Sequence, residues 1–294
     1  MDKYPLKLIP YKKEVVWGGT RLRDGYGKDC GFERLGETWE LSVREKENSV
    51  IANGPYAGMT LKEYLGSPDD FPLLVKLIDA RDSLSVQVHP NKTEMWYIVE
   101  ADPGARLVFG LSEPFDRETV GRAAEDGTLQ KHLNYVDVRA GEVYFIPSGL
   151  VHAICAGIVI AEIQQNSDVT YRLYDYKRRQ PDGSLRELHL AQSLETVRDF
   201  SEEDIRAARF SRPSESDGGL ILASCEYFTV EKFELDSPVS IPCRSGFLHV
   251  LCIEGSGYVC GERAERGDGF YIPAELENAL ILPDGKMTAI VSRP

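Results

Sequence analysis

The segment Ser85-Val-Gln-Val-His-Pro-Asn-Lys-Thr-Glu94 brings an amide, an imidazole and a carboxylate onto one short strand and the turn after it. Side chains alternate between the faces of a strand, so Gln87 and His89 point one way and Val86 and Val88 the other. A polar pair opposite an apolar pair makes sense if the polar pair faces a metal. A turn at Pro90-Asn91 returns the chain so that Glu94 adds a carboxylate to the same centre. Imidazole nitrogen with carboxylate and amide oxygen suits zinc or another divalent transition ion. The segment lacks a fourth ligand, which has to come from elsewhere in the chain.

The elements that must hold these residues read as mostly β. Gly36-Glu-Thr-Trp-Glu-Leu-Ser42 alternates, with Thr38, Glu40 and Ser42 on one face. Phe71 to Ile78 is nearly all apolar and reads as a buried strand or helix end. Lys76 interrupts it; such a lysine usually snorkels to the surface, and a pocket-facing lysine is the sharper alternative. Met95–Val99 and Arg106–Phe109 are expected strands. Helix is expected at Thr60–Leu65, where Thr60 and Glu63 form a capping box. It is expected again over 112–132, where Pro114 and acids come early and bases late, and over the polar stretch 186–210. Ser211–Gly219 reads as a linker, and Leu220 to Pro294 as an all-β unit with regular turns.

One repeat stands out. Gly141-Glu-Val-Tyr-Phe-Ile-Pro-Ser-Gly-Leu-Val-His-Ala-Ile154 aligns with Gly267-Asp-Gly-Phe-Tyr-Ile-Pro-Ala-Glu-Leu-Glu-Asn-Ala-Leu280. His152 in the first copy falls where the second has Asn278. Two copies of one β unit imply two small barrels or jelly rolls, of which only the first carries a ligand set.

The 294 residues are 42% hydrophobic and 28% charged, the composition of a soluble globular chain. A formal net charge of -13 argues against nucleic-acid and anionic-membrane partners. It leaves room for an anionic small substrate at a locally positive site. The N-terminus shows no signal pattern, and no apolar run approaches the ~18 residues of a membrane helix. Cys30, Cys155, Cys225, Cys243, Cys252 and Cys260 form no Cys-x-x-Cys pair and read as thiols of a reducing cytoplasm.

Gly141-x5-Pro147-x-Gly149-x2-His152 resembles the second motif of the cupin superfamily, and Gln87-x-His89-x4-Glu94 resembles the first, with Gln in place of the first His. The resemblance implies that His152 is the missing fourth ligand. Four motifs then follow in order: Leu84–Pro90, Lys92–Ile98, Pro147–Ala153 and Glu162–Arg172. Together they resemble type I mannose-6-phosphate isomerase in its short bacterial form, as does the stretch from Pro10 to Gly19. The likeness covers about residues 7 to 200, and the C-terminal unit matches less well.

Membership would imply a mainly β bicupin: a catalytic domain over 1–185 with a helical insertion around 112–132, a helical connector over 186–211, and a degenerate cupin over 212–294. It would imply zinc on Gln87, His89, Glu94 and His152. Arg172, Lys92 and Asp168 would be catalytic, with Ser85, Lys92, Arg172 and Glu162 contacting a phosphorylated hexose. Asp168 or Glu162 would move the proton between neighbouring carbons. Lys177, Arg178, Arg179 and Arg186 could add positive field, although a solvated loop is their simpler reading. The link between His89 and Glu94 is shorter than the family's, so the loop over the site should be shaped differently. A cytoplasmic monomer or homodimer is expected. The rivals are a sugar-binding bicupin without catalysis and an iron oxygenase on two His and one carboxylate; Gln87 and the basic residues fit the latter poorly.

Overall fold

The computed structural model describes residues 3–68, 70–180, 182–209, 214–215, 218–244 and 246–294. Three antiparallel sheets account for most of them. The six-stranded sheet runs, in spatial order, Val143–Ile146, Glu94–Ala101, Ile158–Gln165, Leu73–Ala80, Tyr11–Gly19 and Leu35–Leu41. The five-stranded sheet runs Tyr171–Tyr174, Val86–Val88, His152–Ile154, Arg106–Leu111 and Leu133–Asp137. These two sheets enclose one core, which joins Ile78, Trp96, Ile98 and Ile160 of the first to Leu107, Phe109 and Ile154 of the second.

Alternation explains which side chains enter that core. In Ile158-Val-Ile-Ala-Glu-Ile-Gln-Gln165, Ile158 and Ile160 face the five-stranded sheet, while Val159, Ala161 and Ile163 face the other way. Period two then carries Glu162 and Gln164 inward with Ile158 and Ile160. Both faces are covered, so the strand is apolar nearly throughout. The outer face of the five-stranded sheet, with Val86, Val108 and Ala153, is covered by the helix Arg117–Asp126 through Val120, Ala123 and Ala124. Asp116 caps that helix by accepting from Thr119 N at 2.8 Å, and Gly127 ends it at φ 82°.

The third sheet has ten strands. Alternate residues of Phe247–Val259 serve two cores. Leu248, Val250 and Cys252 join Phe270, Ile272 and Val291 in a core drawn from this sheet alone, which therefore curls around itself. Phe247, Leu251 and Ile253 instead pack with Leu73, Val75 and Leu77, the outer face of the six-stranded sheet. The N-terminal strand Leu6–Ile9 and the pair Val50–Ile51 belong to this third sheet, through pairing with Gly269–Pro273. The chain thus crosses from the C-terminal sheet into the first unit, and the sheets do not split at one point in sequence.

Helix forms over Arg117–Asp126 with a 3-10 turn at Leu129–His132, and over Leu190–Thr196 and Glu202–Arg209. The stretch 186–189 is not helical. Of the expected linker, 211–213, 216 and 217 lie outside the described residues, and Ser214–Glu215 pairs with Leu220–Ser224. All six cysteines are free thiols. No helix among the described residues is long and apolar enough to cross a membrane.

His249 lies in the seam between sheets, fully buried, with neither ring nitrogen hydrogen-bonded. Gly269 leaves it room, since a Cβ there would sit 3.2 Å from Nε2. Burial, with the nearby Lys28 charge, pushes its pKa down to about 3. The unfolded chain takes up this proton near pH 6.5 and the folded one does not, so stability falls as pH drops through that window. By pH 5 the loss from this residue alone is about 2 kcal/mol. Denaturant midpoints of chelated wild type and His249→Met at pH 7 and pH 5 should differ by that much in their pH dependence. Equal slopes would mean that water reaches the ring.

Candidate metal centre

Strand register assembles the site in two facing rows. Across the six-stranded sheet, Trp39 lies opposite Lys76, Lys76 opposite Glu162, and Glu162 opposite Trp96. One step along, Gln164 lies opposite Glu94. In the five-stranded sheet, Arg172 pairs with Gln87 and Gln87 with His152. The rows meet where the Trp96 ring stands edge-on to His152, with centroids 5.4 Å apart.

At that meeting point, ligand atoms of His89, Glu94 and His152 lie within 4.8 Å of one another. His152 Nε2 is 3.5 Å from Glu94 Oε1, and His89 Nε2 is 3.7 Å from Glu94 Oε2. Donors bound tetrahedrally to one zinc lie about 3.4 Å apart, given bonds of about 2.1 Å. Each histidine commits its other nitrogen. His89 Nδ1–H donates to Val169 O at 2.8 Å, and His152 Nδ1–H to Leu150 O at 2.9 Å. That fixes the tautomer and aims both Nε2 lone pairs at the centre. Gln87 sits beside them, its amide nitrogen 3.3 Å from His152 Nε2; a half-turn of the amide presents its oxygen instead.

The electrostatics suit a cation. Burial, then Lys92 and the other imidazole, hold the His89 pKa well below its ordinary value. Burial also lowers that of His152, against the opposing pull of Glu94. For Glu94, burial pushes upward, but the adjacent Lys92 charge leads the opposing pull and the net shift is downward. The set is therefore two neutral imidazoles and one carboxylate, the protonation state that ligation requires. His89 Nε2 and both Glu94 oxygens are buried without a hydrogen bond, although the Lys92 ammonium lies 2.7 Å from Oε2. Buried polar atoms are normally satisfied, so His89 Nε2 and Glu94 Oε1, left without a hydrogen bond, mark a place for an ion.

Ser85, Gln87, Lys92, Glu162, Asp168 and Arg172 line one cavity of about 340 Å3 in front of these ligands. Asp168 is half-exposed at its rim and pairs with Arg44 at 2.7 Å, not with Arg172. Arg172 donates to Glu187 O at 2.8 Å. Glu162 is held from both sides, by Lys76 at 3.0 Å and by the Trp96 indole N–H at 2.9 Å. Lys76 is thus the pocket-facing lysine of the sharper reading. Burial disfavours its charge, but Glu162 and Glu37 outweigh that and raise its pKa. Trp39 and Glu37 complete this wall, joined by an indole N–H to carboxylate bond of 2.8 Å. Of the downstream basic cluster, Arg186 lines the cavity and lies 3.5 Å from buried Asp175, whereas Lys177 and Arg179 are exposed.

The second copy of the repeat keeps the strands and loses the donors. Where Gln87 pairs with His152, Pro242 pairs with Asn278; where Glu94 pairs with Ile146, Leu248 pairs with Ile272.

Fold and site together define a cupin-type β protein with a candidate metal centre in its first half. Residues 6–105 match the family described as phosphomannose isomerase type I, catalytic domain, and residues 220–294 the mannose-6-phosphate isomerase cupin domain. The chain is 37% identical to mannose-6-phosphate isomerase ManA of Bacillus subtilis, over 93% of this chain and 94% of that one. The crystal structure of a mannose 6-phosphate isomerase from Bacillus subtilis superposes with a TM-score of 0.89 at 33% identity, over 99% of this chain and all of that one. A zinc-bound mannose 6-phosphate isomerase shares the fold at a TM-score of 0.75 and 16% identity, over 99% of this chain and 100% of that one. The chain belongs to the type I mannose-6-phosphate isomerase family.

Removing Lys76 takes from Glu162 its ion-pair partner in a mostly buried cavity wall, while Glu37 keeps Lys13 at 3.5 Å. Lys76→Met should cost about 3–5 kcal/mol in urea denaturation. A loss below ~1 kcal/mol would place this wall in contact with water.

Proposed function

We propose that this chain interconverts mannose 6-phosphate and fructose 6-phosphate, with zinc held by His89, Glu94, His152 and Gln87. The observation that carries the reading is the convergence of orphaned, buried donors behind a cavity that also presents Lys92, Lys76 and Arg172. Relatives that carry this activity in their names, one of them zinc-bound, support it. When bound, zinc would polarise a sugar oxygen and stabilise the negative charge that develops beside it.

The chain's own residues supply the rest. Lys92 and Arg172 give charge-assisted hydrogen bonds to the anionic substrate, and Ser85 a neutral one. Glu162, fixed by Lys76 and Trp96, orients a sugar hydroxyl. Asp168, tethered through Oδ2 by Arg44, carries the proton with its other oxygen. It takes the proton from the carbon beside the aldehyde, leaving an enediolate, exchanges it in part with solvent, and delivers a proton to the former aldehyde carbon, while the hydroxyl proton passes from the second oxygen to the first. The two curled β units are read as a bicupin, with a catalytic domain over 1–185, a connector over 186–211 and a degenerate cupin over 212–294 that shields the back of the catalytic sheet.

Turnover of mannose 6-phosphate in heavy water, as purified, after chelation and after zinc is restored, tests this directly. Activity should vanish and return with zinc, and product should carry solvent deuterium. Bound metal without turnover would favour a sugar-binding bicupin, and turnover with no deuterium in product would undermine the enediolate scheme.

A further inference from the structure

Gln164 is fully buried near the end of Ile158–Gln165, on the inward face beside Glu94. Its amide nitrogen donates to Gln165 O at 2.9 Å and to Ser167 O at 2.6 Å. Carbonyls only accept, so both amide hydrogens are committed and Oε1 must face the other way. There it accepts from two ammonium groups, Lys92 Nζ at 3.1 Å and Lys76 Nζ at 3.2 Å. Each lysine also meets a carboxylate, Lys92 with Glu94 at 2.7 Å and Lys76 with Glu162 at 3.0 Å. The result is one buried row: Glu94, Lys92, Gln164, Lys76, Glu162.

A lysine carries three rotatable donors on a flexible stem, so its charge goes wherever acceptors hold it. Two ammonium groups sharing one neutral acceptor repel in a low-dielectric interior, and the carboxylates at both ends offset that repulsion. The arrangement holds only while the central oxygen is fixed, which the two backbone carbonyls ensure. A methionine at 164 would fill similar space and accept nothing. Gln164 is not part of the cavity wall, whereas Lys92, Lys76 and Glu162 all are.

The geometry points to Gln164 as a positioning residue for the isomerisation: its amide oxygen sets Lys92 against Glu94 and Lys76 against Glu162. This rests on the isomerase reading above, and a wild-type enzyme that fails to turn over mannose 6-phosphate would sink that reading first. With wild-type turnover in hand, Gln164→Met should lower kcat by about 10- to 100-fold, the scale of a misplaced catalytic group, and raise KM, since Lys92 also contacts the anionic substrate, with zinc content retained. Gln164→Asn, which keeps the amide but draws its oxygen back by one methylene, should show a smaller loss in the same pattern. Gln164→Met should cost less in a Lys92→Met background than in wild type, because one of the two contacts it breaks is already gone. A crystal structure of metal-free Gln164→Met should show Lys92 Nζ displaced from Glu94. Any of three results overturns the assignment: wild-type kcat in a folded Gln164 variant, additive losses in the double variant, or an unmoved Lys92.

Discussion

The structure depends on keeping a carboxylate ionised where water does not reach. Glu94 has no exposed surface, and an isolated carboxylate in such a place would take up a proton instead. Its surroundings answer that constraint. Lys92 supplies a cation at 2.7 Å, two neutral imidazoles turn their lone pairs inward, and backbone carbonyls hold those imidazoles in the required tautomer. A second buried carboxylate lies one row away, where Glu162 is held by Lys76 and Trp96. Truncating one member of such a cluster leaves an uncompensated charge behind, so the wall of the site behaves as a unit.

This constraint also explains the layering. A polar centre inside a β sandwich needs rigid strands on both sides and a dry back wall. The six-stranded sheet has apolar cover on its outer face from the third sheet, through Leu251, Ile253 and Tyr271. The C-terminal copy of the repeat provides that cover while having Pro242, Leu248 and Asn278 in the places of three donors. One copy holds the polar centre and the other buries the sheet that carries it.

Much of this was legible in sequence, because it rests on local pattern. Alternation at Val86–Val88 set Gln87 on one face, and the paired motif singled out His152 and Glu94; the structure brings them together. The strand at Leu35–Leu41 follows from alternation, and of the helix expected over 112–132 from Pro114 and its charge order, 117–126 forms as α-helix while 112–116 does not. Register was not legible. Nothing local says that Lys76 will lie opposite Glu162, or Gln164 opposite Glu94, since those pairings join strands about ninety and seventy residues apart. For the same reason no local pattern gives Asp168 its partner in the fold, Arg44. The crossing of Leu6–Ile9 into the C-terminal sheet is likewise a long-range choice that no local pattern encodes.

Buried imidazole, carboxylate and amide groups, and no thiol, should hold the metal. X-ray absorption on the zinc-loaded protein measures this most directly. The expected result is a first shell of nitrogen and oxygen only, at about 2.0–2.2 Å, with the multiple-scattering signature of imidazole. A sulfur shell at about 2.3 Å would put zinc on cysteine thiols and contradict it.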